Sequence, residues 1–155
     1  MIALIQRVTG ANVKIAGDPV GVIGAGIVAL VGVERGDTEV EALLLAERVA
    51  TLRIFADKEG KMNLSLKDVR GQLLAVPNFT LVADTKSGAR PSFSGGASPE
   101  AAERLFKRFV QKAEEWLPRV ATGRFGADMQ LSLVNDGPVT FWLQASPTAQ
   151  PPNKS

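Results

Sequence analysis

Histidine, cysteine and tyrosine are all absent from this 155-residue chain. Without histidine there is no imidazole base, so Ser-His-Asp and Cys-His arrangements are excluded. Without cysteine there is no thiol nucleophile, no disulfide and no thiolate metal site. The two absences together exclude a zinc centre of the usual His/Cys kind. Any catalysis must use Thr, Ser, Lys, Asp or Glu side chains, backbone groups, or groups on the substrate. A strong charge of one sign is missing too: 18 Lys+Arg against 16 Asp+Glu leave a net +2. That balance allows contact with one end of an RNA at low specificity, without the dense basic patch of a general nucleic-acid binder. No apolar run reaches the ~18 residues that span a bilayer. Met1 to Arg7 puts no basic segment ahead of its short apolar one, so no signal peptide and a cytoplasmic location are expected.

What is present reads as one domain with a real core, since the length suits it and hydrophobic residues make up 45%. Ile2 to Val8 and Ala11 to Ile15 read as two strands, and Val20 to Ile23 as a third. Ile27 to Val33 is a continuous apolar run of strand length, which predicts a buried central strand. Thr38 and Glu41 fit a capping box, so a helix is predicted from there to about Leu52. Arg53 to Phe55 resembles a strand, and Met62 to Leu66 is ambiguous. Gln72 to Val76 is a strand, Pro77 interrupts it, and Asn78 to Val82 resumes the pattern. Ser98 and Pro99 open a second helix, whose Ala102, Leu105, Phe106, Phe109, Val110, Ala113 and Trp116 recur at helical spacing and make one face apolar. Met129 to Val134 and Val139 to Leu143 alternate as strands. The order predicts an α+β domain over residues 1–145, one sheet system covered by two helices. Residues 146–155, polar and proline-rich, are expected to form a disordered tail.

Three stretches bear on chemistry. Asn135-Asp136-Gly137-Pro138-Val139-Thr140 gathers the strongest turn formers between two strand patterns. It reads as a hairpin turn, or as a rigid tip presenting carbonyl oxygens to a ligand. Thr80, just after the Pro77 break, is the obvious candidate nucleophile. A Thr hydroxyl is weak without a base, so it also reads as a group that orients substrate or satisfies backbone. The amides of Asn78, Phe79 and Thr80 offer the other tool, because consecutive N–H groups at a break can hold an oxyanion. The polar stretch Asp84 to Ala97 is long for a loop without structure and carries Lys86 and Arg90, both suited to phosphate. Gly24-Ala25-Gly26 precedes a strand and is no dinucleotide fingerprint, and there is no Walker loop. Neither cofactor nor metal is expected.

Taken together, the short motifs resemble the D-aminoacyl-tRNA deacylase family over Met1 to about Leu143. They are Ile5-Gln6-Arg7-Val8, Leu30-Val31-Gly32-Val33-Glu34-Arg35-Gly36-Asp37, Gly60-Lys61-Met62-Asn63-Leu64-Ser65, Arg90-Pro91-Ser92-Phe93, Gly123-Arg124-Phe125-Gly126-Ala127-Asp128-Met129 and Val134 to Thr140. The resemblance implies a homodimer of compact, β-rich, barrel-like subunits that hydrolyses the ester joining a D-amino acid to the 3′ end of tRNA. It implies a site made of two motifs. One reads Ser-Gln-Phe-Thr-Leu in typical members and Pro77-Asn78-Phe79-Thr80-Leu81 here. The other is a Gly-Pro pair with a cis bond, here Gly137-Pro138, which enters the partner's site and leaves no space for an L side chain. Asn78, Phe79 and Thr80 are thereby expected to be catalytic. Gly137, Pro138, Pro77 and Met129 are expected to meet the substrate, and Lys86, Arg90 and Arg7 the tRNA phosphates. Glycyl-tRNA is an expected second substrate, since glycine is achiral. A related family that tolerates some L-amino acids shares proline at the first position of the motif but lacks the phenylalanine, so Phe79 favours D-specificity. The competing reading from another class is a non-catalytic dimeric module that binds tRNA 3′ ends.

Overall fold

The computed structural model describes residues 1–147. The expected tail over 146–155 therefore lies, from residue 148 on, outside the described part. Eight strands and two helices follow one another as β1 (Ile2–Ile15), β2 (Asp18–Ile23), β3 (Gly26–Gly32), α1 (Glu39–Thr51), β4 (Phe55–Ala56), β5 (Met62–Leu64), β6 (Gln72–Pro77), α2 (Pro99–Trp116), β7 (Val120–Thr122) and β8 (Gln130–Gln144). The main sheet runs β2-β1-β3-β6-β7, with β8 on the other side of β1. β3, β6 and β7 are parallel neighbours, as their crossover helices require. The sheet curls until its two ends approach. Arg119 of the segment before β7 donates to the Val22 carbonyl of β2 at 3.1 Å. The result is a nearly closed, barrel-like sheet with two helices, as expected.

The central strands are apolar throughout because both their faces are covered. Ile27, Ala29 and Val31 of β3 and Leu73 and Ala75 of β6 meet the helices. Val28, Leu74 and Val76 point the other way, into a second cluster inside the curl with Val8, Val13 and Ile23. Helix α1 starts where the sequence places it. Val40 N donates to Thr38 Oγ1, and Thr38 N and Oγ1 both donate to Glu41 Oε2 at 2.7 Å. Helix α2 is capped by Ser98, whose Oγ accepts from Ala101 N.

Three expectations about local structure are corrected. The two strands expected over residues 2–15 are one strand, β1. Its ladder with β8 shifts register between Gln6 and Gly10. There the buried set passes from Ala3 and Ile5, on the helix side, to Val8, Ala11 and Val13, on the inner side. Such a change of face across an irregularity looks like a strand break in sequence. The hairpin over Asn135–Thr140 is a bulge. Both halves of β8 run the same way and pair antiparallel with β1, Thr140 opposite Gln6 and Asn135 opposite Val8. Finally, Asn78 to Val82 does not resume a strand. Phe79–Val82 forms a 3₁₀ turn after Pro77 has ended β6.

Among the described residues, no helix is long and apolar enough to cross a membrane. No three His, Cys, Asp or Glu side chains there cluster as metal ligands.

Candidate active site

The Pro77 break turns a buried strand into an exposed pair of amides. Pro77 is the last residue of β6 and sits opposite Val31 of β3. Asn78 N still donates to the Val31 carbonyl at 2.8 Å, so its amide is committed to the fold. The chain then winds into the 3₁₀ turn, closed by Leu81 N to Asn78 O and Ala83 N to Thr80 O. The first amides of such a turn have no internal acceptor. No side chain caps it, and the Phe79 and Thr80 amides have no acceptor among the described residues. Of the three amides expected to hold an oxyanion, these two are free to do so. Gly32 lets the turn lie directly on β3: a Cβ there would stand 2.9 Å from Val82 Cγ1 and 3.2 Å from the Asn78 carbonyl oxygen.

Thr80 is exposed and donates its hydroxyl proton to Asn78 Oδ1 at 2.5 Å. An amide oxygen orients a hydroxyl but does not deprotonate it. Asp84 gives no help. Its Oδ1 accepts from Lys86 N at 2.9 Å, and its backbone pairs with Ser92 in both directions. This geometry favours Thr80 as an orienting group.

Beside the turn lies an apolar cavity of about 330 Å³. Its walls include Val31 of β3 and Val33 just after it, Pro77, Asn78 and Phe79, Phe93 from the 84–97 segment, Ala102 and Phe106 from α2, and Phe125. Phe79 and Phe93 lie with ring centroids 5.2 Å apart and a tilt of 58°. The segment carrying Phe93 is ordered rather than loose. Besides the Asp84–Ser92 pair, Arg35 N donates to Gly95 O and Ala97 N to Val33 O.

The Gly-Pro stretch forms a separate feature. Asp136 to Val139 loop out of the β1–β8 ladder, and the Gly137-Pro138 bond is cis with Gly137 at φ 140°. That φ is open to glycine and strained for other residues. The loop is tied from three sides. Asn135 Oδ1 accepts from Val139 N at 2.8 Å. Val139 is buried in the main core. Arg7 donates from Nε to the Asp136 carbonyl at 3.0 Å and from an Nη to the Ile54 carbonyl at 2.6 Å. Gly137 and Pro138 themselves are exposed.

Of the residues expected at the site, Pro77, Asn78 and Phe79 share the cavity, and Thr80 is bonded to Asn78. Met129 belongs beside them: a Cβ on Gly123 would lie 2.7 Å from Met129 Sδ and 3.5 Å from the Pro77 ring. Lys86 and Arg90 are exposed on the segment that leads to Phe93. Arg7 instead stands under the Gly-Pro loop, its side chain only 15% exposed. Gly137 and Pro138 are not brought to Thr80 within one subunit. β8 and β6 are three strand positions apart, roughly 14 Å along the sheet. The loop lies opposite Gln6–Val8, whereas Pro77 aligns through Val31 with Ala3, a further ~13 Å along β1. Phe93, Phe106 and Phe125 also line the cavity, and the sequence does not mark them as site residues. Phe106 reads as core by helical spacing. The signal for the other two was an aromatic residue stranded in a polar, glycine-rich stretch.

The family model described as D-Tyr-tRNA(Tyr) deacylase matches residues 4–144. A D-aminoacyl-tRNA deacylase of Escherichia coli is 58% identical over 144 residues, 93% of this chain and 99% of its own. One from Shigella boydii gives the same figures. Among solved structures, a c-Myc DNA unwinding element binding protein superposes with a TM-score of 0.89 at 34% identity, over 94% of this chain and 99% of its own. A probable eukaryotic D-amino acid tRNA deacylase superposes with a TM-score of 0.79 over 93% and 98%, and at 16% identity that is a likeness of fold alone. With a family model spanning nearly the whole fold and relatives this similar end to end, the chain belongs to the D-Tyr-tRNA(Tyr) deacylase family and is a D-aminoacyl-tRNA hydrolase.

Proposed function

We propose that hydrolysis takes place at the Phe79 and Thr80 amides, in a homodimer whose partner subunit supplies the Gly137-Pro138 loop as a chirality filter. The observation that carries this reading is the pair of acceptor-free amides beside an apolar cavity, in a chain without histidine or cysteine. The cavity's aromatic walls suit the base of the terminal adenosine, which would set the ester carbonyl at the turn. Water then attacks that carbonyl carbon, and the oxygen that becomes negative receives the two N–H groups. Collapse breaks the bond to the ribose 3′ oxygen. The water proton passes to that leaving oxygen, with the neighbouring 2′ hydroxyl as relay. The products are a free amino acid and uncharged tRNA. Asn78, held by Thr80, orients the substrate, and Pro77 and Met129 bound its amino-acid end.

A second copy is needed because the loop is too far from its own Thr80. β8 supports the pairing: its outer edge has no strand partner among the described residues, and Val134, Phe141 and Trp142 on it are 62%, 40% and 53% exposed. In the dimer, the loop's carbonyls accept from the substrate α-ammonium group. Its rigid backbone excludes a side chain in the L configuration while a D side chain points outward. Discrimination by a wall, rather than by a pocket, leaves the amino-acid side chain unread. Glycyl-tRNA passes the same wall and is a substrate. Lys86 and Arg90 contact the tRNA phosphates, and the reaction takes place in the cytoplasm, where tRNA is charged.

Purified protein incubated with D-aminoacyl-tRNA, its L counterpart and glycyl-tRNA tests this directly. Release of the D-amino acid and glycine, with the L ester spared, is expected. Binding of tRNA without release of any amino acid would instead identify the non-catalytic 3′-end module.

A further inference from the structure

Among the described residues, Phe79 and Phe93 form the exposed aromatic pair beside the site, and the cavity accounts for only part of their surface. Phe79 is 65% exposed and Phe93 45%, although both rings also wall the cavity. Exposed rings of this size, rigidly held next to a ligand pocket, mark a contact surface. They are held here. Phe79 starts the 3₁₀ turn that lies on β3. Phe93 follows the Asp84–Ser92 pair, and its own carbonyl accepts from Gly96 N at 3.1 Å. The two rings lie in a tilted arrangement and both stay partly exposed. The segment joined by the Asp84–Ser92 pair also carries Lys86 and Arg90, both exposed and without an acidic partner among the described residues. Its one carboxylate, Asp84, accepts from the Lys86 backbone amide.

Exposed aromatic rings with free cations on the segment between them are the kind of surface that holds single-stranded nucleic acid. We propose that the Phe79–Phe93 pair is a stacking platform for the penultimate base of the unpaired tRNA 3′ end, with Lys86 and Arg90 on the phosphates flanking that base. This rests on the proposed function, which fills the cavity with the terminal base and so brings the next base to its mouth. The platform is blind to the amino acid. It therefore gives the enzyme a hold on tRNA that does not depend on what the tRNA carries. The nearby cations favour this occupant over a second copy of the chain, which would cover the rings with apolar surface.

An uncharged RNA hairpin ending in a single-stranded CCA, with 2-aminopurine in place of the penultimate cytosine, reports stacking by loss of its fluorescence. Wild-type protein is expected to quench it, and F93L to bind about tenfold or more weakly with the quench lost, since base–aromatic stacking is worth ~1–3 kcal/mol per base. F93Y, which keeps the ring, is expected to restore both. In deacylation, F93L should raise KM for D-aminoacyl-tRNA by at least about tenfold more than for D-aminoacyl-adenosine, which has no penultimate base. Equal losses on the two substrates would overturn the proposal, because the ring would then serve the cavity alone. Unquenched 2-aminopurine with the wild type, or an F93L protein that sediments as a monomer where the wild type is a dimer, would also overturn it. Quenching without any deacylation would leave the platform standing and sink the proposed reaction instead.

Discussion

If the Phe79 amide holds the oxyanion, deleting that one N–H should cost far more than deleting the side chain. Proline at position 79 does this with little disturbance. Asn78 lies at φ −143°, ψ 94°, extended and well away from the α region that proline disfavours in the residue before it. Position 79 opens a 3₁₀ turn, where proline's fixed φ is tolerated and its missing N–H breaks no bond of the fold. Phe79→Pro also removes the ring, so Phe79→Ala is the reference. Loss of one oxyanion donor costs about 10²–10³ in rate, or ~2.7–4 kcal/mol. Phe79→Pro is therefore expected to deacylate D-aminoacyl-tRNA about a hundredfold or more slowly than Phe79→Ala. The measurement is single-turnover release under saturating enzyme, which separates the chemical step from tRNA affinity. Melting temperatures of the two variants should agree within a few degrees, since neither loses a native hydrogen bond. Rates within about threefold of each other in two folded proteins would refute the amide mechanism.

Thr80→Ala removes a neutral hydroxyl bond to Asn78 worth ~0.5–1.5 kcal/mol, so the single-turnover rate should fall only about 2- to 13-fold. Complete loss in a folded variant would restore the nucleophile reading. Arg7→Leu leaves the Ile54 carbonyl, on a buried residue, without its donor, and should lower stability by about 1–3 kcal/mol in urea unfolding. It also frees the Asp136 carbonyl, so release from L-aminoacyl-tRNA should rise relative to the D ester. Arg7→Lys should not rescue, because an ammonium lacks the fork that reaches both carbonyls. For Glu41, burial works to raise the carboxyl pKa, but the Thr38 hydroxyl and amide bonds outweigh it, and the pKa is lowered from 4.5. Its stabilisation is thus present above that value and lost as pH falls through the lower folded value. Glu41→Gln should melt below the wild type at pH 7, with the gap closing in acid.

The elements that local rules govern were legible in the sequence. The Thr38 and Glu41 box, the Ser98-Pro99 start and the doubly buried run in β3 each depend on residues within one turn or one strand. The site was half legible. Absence of histidine pointed to backbone donors, and Pro77 marked an interruption, but the pattern after it reads as a strand that resumes where the ladder in fact ends. Which amides are free was not readable, because it depends on Val31, a strand away, taking Asn78 N. The cavity walls were hidden for a similar reason: Phe93 and Phe125 lie in polar stretches, and only the fold brings them to one cavity with residues of β3 and α2. β7 gives no sequence signal because three residues carry no periodicity.

The Gly-Pro stretch shows how a local rule can be right about the residues and wrong about their use. Asn-Asp-Gly-Pro does turn the chain, but the turn closes on itself through Asn135 and Val139, and the strand continues in its original direction. The difference matters for the proposed filter. A hairpin tip is held at one end only and lies at the margin of a sheet, where loops move most. A bulge in the middle of β8 is held by ladder pairs on both sides, Thr140 with Gln6 and Asn135 with Val8. Val139 anchors it in the core from below, and Arg7 ties its first carbonyl to Ile54. A steric wall rejects an L side chain only as well as it resists displacement. A filter made of backbone therefore gains from standing in mid-strand. The same placement fixes the loop relative to the open edge of β8, so in the proposed dimer one strand would set both the interface and the reach of the loop into the neighbouring site.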